Sequence, residues 1–92
     1  MKASDVPEGQ GVIGEAGGRQ IAVYKTGGEL TVLENVCTHM GCQTDWNALD
    51  QSWDCPCHGS RYHPDGSVLL GPAMGPLLAL GFRVENDEIV IE

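Results

Sequence analysis

The stretches CTHMGC at residues 37–42 and CPCHGS at residues 55–60 hold all four cysteines and two of the three histidines of this 92-residue chain. Each stretch combines one closely spaced Cys–His pair with one further cysteine. Thiolate and imidazole are soft or borderline donors that bind zinc and iron, so six of them between residues 37 and 58 predict a metal site.

The first stretch holds the pair Cys37 and His39, and the second holds the pair Cys55 and His58. These four side chains suit a single zinc ion. They also suit a 2Fe–2S cluster with two cysteines on one iron and two histidines on the other. Zinc gives no role to the remaining cysteine of each stretch, and these two cysteines could join the loops covalently. A thiol redox site in the second stretch is a third interpretation, but it leaves both histidines without a role.

Charge and hydropathy narrow the class of protein. The formal net charge is −8, which argues against nucleic acid and against an anionic membrane surface, since both attract basic faces. No apolar run approaches the roughly 20 residues of a membrane helix. The N-terminal sequence MKASDVPEGQ also lacks the apolar core of a signal peptide. These features are compatible with a soluble protein that docks onto a basic or neutral partner, and equally with a charge that serves only solubility.

The segments on either side of the cysteine stretches have the pattern of β-hairpins. Residues 11–36 hold three apolar stretches separated by Gly17-Gly18 and Gly27-Gly28, and paired glycines favour hairpin turns. Residues 78–92 read as a last hairpin that turns near Asn86-Asp87. Alternation predicts that the inward-facing side chains are Ile21, Val23, Leu30, Val32, Phe82, Val84, Ile89 and Ile91. No segment shows a helical period of useful length.

The layout therefore predicts one all-β domain spanning residues 1–92. Residues 1–36 and 77–92 form an antiparallel β-sandwich base. Residues 37–76, rich in Gly, Pro, Cys and His, form an inserted and irregular part in which the metal binds. Loops held on a rigid scaffold commonly carry chemistry.

At this point the two stretches show a family resemblance. CTHMGC followed by CPCHGSRY resembles the two boxes of Rieske iron–sulfur proteins, and CPCHGS resembles the high-potential type of cytochrome bc-type complexes. GPAMGP at residues 71–76 resembles the proline loop that covers the cluster in that family. The second box has Cys57 and Ser60 where Rieske oxygenases usually have Tyr and Trp, which disfavours an oxygenase. DWNALDQSWDCPCHGSRY at residues 45–62 looks like the C-terminal Rieske domain of certain FAD-dependent oxidoreductases.

The resemblance implies a role for each residue of the site. Cys37 and Cys55 would bind one iron of a Rieske-type 2Fe–2S cluster, and His39 and His58 would bind the other. Neutral imidazoles in place of two thiolates make the cluster less negative and easier to reduce, which places Rieske potentials at about −150 to +300 mV.

The resemblance also assigns the residues around the ligands. Cys42 and Cys57 would form a disulfide that braces the two loops. Ser60 would donate a hydrogen bond to a bridging sulfide, and Tyr62 would donate one to the sulfur of Cys37; both bonds favour the reduced cluster. Pro72, Ala73 and Met74 would form the covering loop and, together with Met40, a small apolar tip. His63 should be exposed to solvent, while Trp46 and Trp53 should pack rather than relay electrons.

The function implied is one-electron transfer within an oxidoreductase, either FAD-dependent or cytochrome bc-like. The chain would be an electron-transfer domain and not a catalyst by itself. Its partner would be a redox protein or a flavin domain that docks at the tip carrying His39 and His58. A domain of a flavin oxidoreductase would be cytoplasmic. The alternative is a structural zinc-binding module without redox activity.

Overall fold

The computed structural model describes residues 1–37, 41–57 and 59–92. Within them the chain forms one short 3-10 turn, Ala3–Asp5, and nine β-strands. The strands are β1 (Gly11–Ala16), β2 (Arg19–Thr26), β3 (Glu29–Glu34), β4 (Asp45–Asn47), β5 (Ser52–Asp54), β6 (Arg61–Tyr62), β7 (Val68–Leu70), β8 (Phe82–Glu85) and β9 (Glu88–Ile91). All their pairings are antiparallel, which confirms the all-β class.

Both predicted hairpin regions of the base are confirmed. Strands β1, β2 and β3 form a sheet in that order, and its two turns fall at Gly17-Gly18 and Gly27-Gly28. All four of these glycines have positive φ, a conformation that glycine adopts without strain. Strands β8 and β9 pair around Asn86-Asp87, whose φ values of 50° and 65° are those of a tight hairpin turn.

The middle of the chain is more regular than its sequence indicates. Strands β4 to β7 form a four-stranded sheet in chain order, where the glycine- and proline-rich composition predicts an irregular segment. Each of these strands has only two or three residues. A period of two cannot be recognised in so few positions. The prediction of an irregular middle was therefore wrong for residues 45–70.

Two cores hold the fold together, one on each face of the sheet β1–β3. The base core contains Ile21, Val23 and Val32 and packs against the last hairpin through Ile89. The cluster-side core contains the following buried residues: Ala22, Leu33, Cys37, Trp53, Cys55, Tyr62, Ala73 and Leu77. Strands β2 and β3 are therefore buried on both faces in their middle, so alternation reveals only one of the two cores.

The residues of the last hairpin that were predicted to point inward differ from one another in their burial. Ile89 is buried, and Phe82 and Ile91 pack against the base core. Val84 stays 46 % exposed, so its predicted inward position was wrong. It lies opposite Ile89 in the β8–β9 register and lines a surface cavity of about 420 Å³ together with Phe82 and Leu30.

Gly11 at the start of β1 is where the base meets the four-stranded sheet. A Cβ added here would lie 2.5 Å from Trp46 and 2.7 Å from Trp53. Because the fully buried ring of Trp53 cannot move aside, we expect Gly11→Ala to reduce the free energy of unfolding by about 1–3 kcal/mol, the usual cost of overpacking. Denaturant unfolding followed by tryptophan fluorescence measures the change.

The matched control for Gly11→Ala is Gly14→Ala in the same strand. Its added Cβ would meet the flexible thioether of Met1, whose sulfur lies 2.7 Å away and can move. We expect a smaller loss for Gly14→Ala. Equal losses for the two variants would show that strand propensity, and not the contact with the tryptophans, sets the requirement for glycine.

Candidate metal centre

The first cysteine loop leaves β3 and is closed by two backbone hydrogen bonds. The amide of Cys37 donates to the carbonyl of Cys42 at 2.6 Å, and the amide of Gly41 donates to the carbonyl of Cys37 at 2.8 Å. Gly41 has a φ of +76°, which explains the choice of glycine at this position. The loop therefore turns back on itself around its first cysteine.

The second loop repeats this pattern with different residues. The amide of Cys55 donates to the carbonyl of Ser60 at 2.7 Å, and the amide of Gly59 donates to the carbonyl of Cys55 at 3.1 Å. Gly59 has a φ of +79°. In each loop the cysteine is bonded to the residues four and five positions later. Two equivalent loops thus present their first cysteines in the same backbone setting.

Cys37 and Cys55 are suited by their surroundings to bind a metal centre. Each is 2 % exposed and belongs to the cluster-side core, and neither takes part in the disulfide. A buried thiolate is costly unless a cation or hydrogen-bond donors compensate its charge. The chemistry of this donor set fits iron. The predicted histidine ligands, His39 and His58, lie outside the described residues.

The predicted disulfide is confirmed. Cys42 and Cys57 are joined, with a sequence separation of 15 residues and a Cα–Cα distance of 6.5 Å. Sγ of Cys55 lies within 4.8 Å of both sulfurs of the disulfide. The bridge therefore links the two loops directly beside one of the buried cysteines. Since the two disulfide sulfurs are bonded to each other, these three cysteines do not form a metal site of their own.

The side chains of Tyr62 and Ser60, the two predicted hydrogen-bond donors, are both fully buried. The hydroxyl oxygen of Tyr62 is 3.2 Å from Sγ of Cys37. An iron-bound thiolate carries no proton, so the phenol is then the donor. Oγ of Ser60 accepts the amide proton of Ala73 at 3.0 Å. The hydroxyl proton of Ser60 remains available for donation.

The covering loop is attached to the site through that same bond. Ala73 is 4 % exposed, while the adjacent Met74 is 97 % exposed. Pro72 follows a cis peptide bond after Gly71 and is exposed. The structure thus provides an apolar side chain on the outer surface of this loop, as predicted. Met40, the other half of the predicted apolar tip, lies outside the described residues.

A buried polar clamp closes the first loop at its base, and the sequence analysis missed it. Oδ1 of Asn35 accepts the amide proton of Thr44 at 2.8 Å and its hydroxyl proton at 2.7 Å, and Nδ2 of Asn35 donates to the carbonyl of Thr44 at 3.3 Å. Both residues are essentially fully buried. Their spacing of two residues outside each end of CTHMGC is the sequence signal that could have revealed the clamp.

The second loop has a charged clamp in the corresponding place. Nε of Arg61 donates to Asp54 at 3.0 Å, and Asn47 and Ser52 donate to the same carboxylate at 2.9 and 2.7 Å. Burial raises the pKa of Asp54, but these hydrogen bonds and the charge of Arg61 outweigh it and lower the pKa below its ordinary value. Arg61 also bonds Asp50 at 2.7 Å. The base of this loop therefore holds its charges in pairs.

We expect Tyr62→Phe to lower the reduction potential of the cluster while leaving the cluster bound. The variant removes the donor 3.2 Å from the sulfur of Cys37, and such a donor stabilises the more negative, reduced state. Ser60→Ala should act in the same direction if its proton points to a sulfide. Protein-film voltammetry measures both shifts.

Tyr24→Phe is the matched control, because it removes a phenol that bonds Gln51 and not a cysteine. Its potential should equal that of the unmodified protein. An unchanged potential in Tyr62→Phe would contradict the proposed role of its hydroxyl.

The fold and the site together define a class of protein. Two matching loops, two buried cysteines, a disulfide between the loops and a phenol on one sulfur are features of a small iron–sulfur domain. Residues 1–85 match the Rieske [2Fe-2S] domain family, and the chain belongs to that family.

Curated relatives place the domain in two kinds of chain. It is 40 % identical over 98 % of its length to the cytochrome b6-f complex iron-sulfur subunit of Chlorobaculum thiosulfatiphilum, of which it covers 50 %. It is 42 % identical over 84 % of its length to a putative Rieske 2Fe-2S iron-sulfur protein of Bacillus subtilis, of which it covers 15 %. The chain therefore spans about half, or less, of the relatives it matches.

Solved structures show the same fold. The plasma-membrane Rieske protein of the cyanobacterium Synechocystis superimposes with a TM-score of 0.75 at 28 % identity, covering 89 % of this chain and 85 % of that one. A hyperthermophilic respiratory Complex III contains a chain with a TM-score of 0.79 at 26 % identity, covering 98 % of this chain and 71 % of that one. The predicted Rieske-type fold is confirmed.

Family membership decides the cofactor. The chain carries a Rieske-type 2Fe–2S cluster and is an electron-transfer protein. The alternative of a structural zinc module has no support in these relatives. No helix among the described residues is long and apolar enough to cross a membrane.

Proposed function

We propose that Cys37 and Cys55 bind one iron of the cluster, and that His39 and His58 bind the other. The carrying observation is that the two cysteines are buried in loops with the same hydrogen-bond pattern. Each proposed histidine follows its cysteine by two or three residues within the same loop. When bound, the cluster accepts and releases one electron at a time.

The chain's own residues stabilise the reduced state and exclude water. The phenol of Tyr62 donates to Cys37 when that sulfur is a thiolate, and Ser60 anchors the covering loop through Ala73. Burial of both cysteines lowers the local dielectric constant, which strengthens these hydrogen bonds. The domain thus sets the potential of an electron carrier and is not a catalyst by itself.

The setting that the relatives and the disulfide favour is a subunit of a cytochrome bc-like oxidoreductase. The b6-f relative shares almost the whole of this chain, at 40 % identity. The disulfide between Cys42 and Cys57 also corresponds to the high-potential type that the CPCHGS stretch resembles. Electrons would then pass from a reduced donor through the cluster to a second redox protein.

A second setting, a domain of an FAD-dependent oxidoreductase, has its own support. The Bacillus subtilis relative is a chain of which this domain is only 15 %. A Rieske domain of this sequence type therefore occurs inside a much longer protein. The stretch at residues 45–62 resembles the Rieske domain of such flavin enzymes, and in this setting the protein would be cytoplasmic.

The docking surface in both settings would be the tip that carries His39 and His58. Met74 is 97 % exposed on the covering loop, and an exposed apolar side chain beside a redox centre suits transient contact with a partner. The net charge of −8 favours a partner with a basic or neutral surface.

Anaerobic titration of the oxidised protein tests this function. Dithionite should reduce each chain with one electron equivalent, with bleaching of the visible absorption of the cluster. The two settings are distinguished by mixing the reduced domain with a c-type cytochrome or with an FAD-containing oxidoreductase and comparing the rates of electron transfer. Faster reaction with the cytochrome supports the cytochrome bc-like setting, and faster reaction with the flavin enzyme supports the other. A protein that takes up no electron and contains one zinc would overturn the proposal.

A further inference from the structure

The oxidisable aromatic residues of this protein are few and all lie on one side of the molecule. The chain has two tryptophans, two tyrosines and one phenylalanine. Trp53 and Tyr62 belong to the cluster-side core, and Trp46 and Tyr24 pack against it. Phe82, the aromatic side chain that is hardest to oxidise, packs against the base core instead.

These four rings form one row that starts at a cluster-side cysteine. The hydroxyl of Tyr62 is 3.2 Å from Sγ of Cys37. Tyr62 faces Trp53 across β5 and β6, and directly opposed residues have Cβ atoms about 4.5–5.5 Å apart. The ring centroids of Trp53 and Trp46 are 4.7 Å apart, and those of Trp46 and Tyr24 are 5.4 Å apart. These centroid distances are those of rings in contact.

The row runs from the interior to the surface. Trp53 and Tyr62 are fully buried, whereas Trp46 and Tyr24 are half-buried. The hydroxyl of Tyr24 donates to Oε1 of Gln51 at 3.3 Å. Tyr24 is half-buried, so water has access to part of this side chain. Loss of the phenolic proton to water would leave a neutral tyrosyl radical.

We propose that this row is a protective path that carries oxidising equivalents away from the iron–sulfur site to Tyr24. Rieske potentials of about −150 to +300 mV lie far below those needed to oxidise Trp or Tyr. The row is therefore silent during ordinary electron transfer. It acts only when a much stronger one-electron oxidant, such as a radical formed from peroxide, reaches the cluster end of the domain.

The electron and proton balance of the path is simple. Tyr62 gives one electron to the oxidant, and its phenolic proton stays within the 3.2 Å hydrogen bond to Sγ of Cys37. Trp53 then reduces the oxidised Tyr62, which restores the neutral phenol. Trp46 next reduces the oxidised Trp53. Finally, Tyr24 reduces the oxidised Trp46 and releases its phenolic proton to water. In sum, one electron passes from Tyr24 to the oxidant, and one proton enters solvent.

Packing explains why these side chains are large but not why all four are oxidisable. The sequence analysis assigned Trp46 and Trp53 to packing, and the structure confirms that Trp53 is buried. Phenylalanine or leucine would also fill such a core. The contact chain from Cys37 to a half-buried phenol is the feature that packing does not require.

The test anchors an oxidant at the cluster end of the intact holoprotein. A ruthenium polypyridyl group is attached to Met74→Cys, because residue 74 is exposed and follows the Ala73–Ser60 bond. The native cysteines are in the disulfide or in the proposed ligand set, so the new thiol alone reacts. With the cluster oxidised, light and a soluble quencher generate the ruthenium oxidant, and a nitroso spin trap with peptide mass spectrometry locates the radical.

We expect the spin-trap adduct on Tyr24. Trp46→Phe, which keeps a ring but interrupts the oxidisable row, should reduce the Tyr24 adduct several-fold and increase bleaching of the cluster. Trp53→Phe should have the same effect, and it replaces Trp46→Phe in the experiment if that variant does not fold. Visible absorption before illumination shows that each variant holds its cluster.

The matched control places the oxidant near Tyr24, at the opposite end of the row of aromatic rings. Leu49→Cys is suitable because Leu49 is 93 % exposed in the turn that also holds Gln51, the partner of Tyr24. From this position Tyr24 should be oxidised equally with or without Trp46. The proposal is overturned if the oxidant at residue 74 gives no Tyr24 adduct, or if Trp46→Phe leaves that adduct unchanged.

Discussion

Replacing His58 by alanine is expected to remove the 2Fe–2S cluster, while replacing His63 by alanine should leave it in place. His58 is proposed to bind one iron, so its loss opens a coordination position that water can enter and leads to release of iron and sulfide. His63 lies outside both cysteine stretches and is exposed. Iron and acid-labile sulfide analysis should fall from two of each per chain to near zero for His58→Ala alone.

The pair of histidine variants is a matched comparison within one domain. Both remove one imidazole, so a general effect of losing a histidine appears equally in the two. Corresponding results are expected for His39→Ala, and for Cys37→Ala and Cys55→Ala, which remove thiolates from the core. A full complement of iron in His58→Ala, or equal loss in His63→Ala, would contradict the proposed ligand set.

A conservative variant separates a ligand from a residue that only supports the fold. His58→Cys supplies a thiolate in place of the imidazole, so the cluster becomes more negative and harder to reduce. Its potential should fall from the Rieske range of about −150 to +300 mV toward the value near −400 mV of clusters with four cysteines. A supporting residue would not shift the potential in this direction.

The sequence reveals the parts of this fold that depend on special residues. Paired glycines with positive φ mark both turns of the base sheet, and Asn86-Asp87 marks the last hairpin. Cys42 and Cys57 were paired through a resemblance between motifs, and the structure confirms that pairing. Such positions can be predicted from the sequence because few residue types adopt a positive φ or form a disulfide.

Features that depend on neighbours distant in the chain were not readable. Ala22 and Leu33 belong to the cluster-side core, where they are buried among residues more distant in the chain, such as Trp53, Tyr62 and Leu77. The clamp between Asn35 and Thr44 likewise exists because the loop between them closes. Val84 has the pattern of an inward residue but lacks a covering element. Alternation reports which residues share a face and does not report what covers that face.

Removing the disulfide is expected to have the largest effect on stability of any change outside the proposed ligands. The bridge closes a loop with a sequence separation of 15 residues, for which the chain-entropy model gives about 3 kcal/mol. The total stability of a small domain is only about 5–15 kcal/mol. The double variant Cys42→Ser/Cys57→Ser should therefore unfold at a much lower denaturant concentration than the unmodified protein.

The two cysteines are replaced together because a single variant leaves a thiol beside the site. Sγ of Cys55 lies within 4.8 Å of both disulfide sulfurs, so a lone Cys42 or Cys57 could compete for iron or exchange with its neighbours. In the double variant, the second loop keeps its backbone bonds at Cys55 and its charged clamp at Asp54 and Arg61. The cluster should therefore still form, but it should be lost faster.

Bleaching of the visible absorption, followed over time in moderate denaturant, measures that loss, and a thermal scan gives the apparent midpoint. A change of 1 kcal/mol shifts the midpoint of a domain of this size by roughly 4–8 °C. Because the bridge contributes about 3 kcal/mol, we expect the melting temperature of the double variant to be lower by more than about 10 °C. The control is Ser67→Ala, which removes an exposed hydroxyl bonded to Asp65 and should change the midpoint little. If the double variant melts within a few degrees of the unmodified protein, the bonds at the loop bases already hold the two loops together, and the disulfide would add little to the fold.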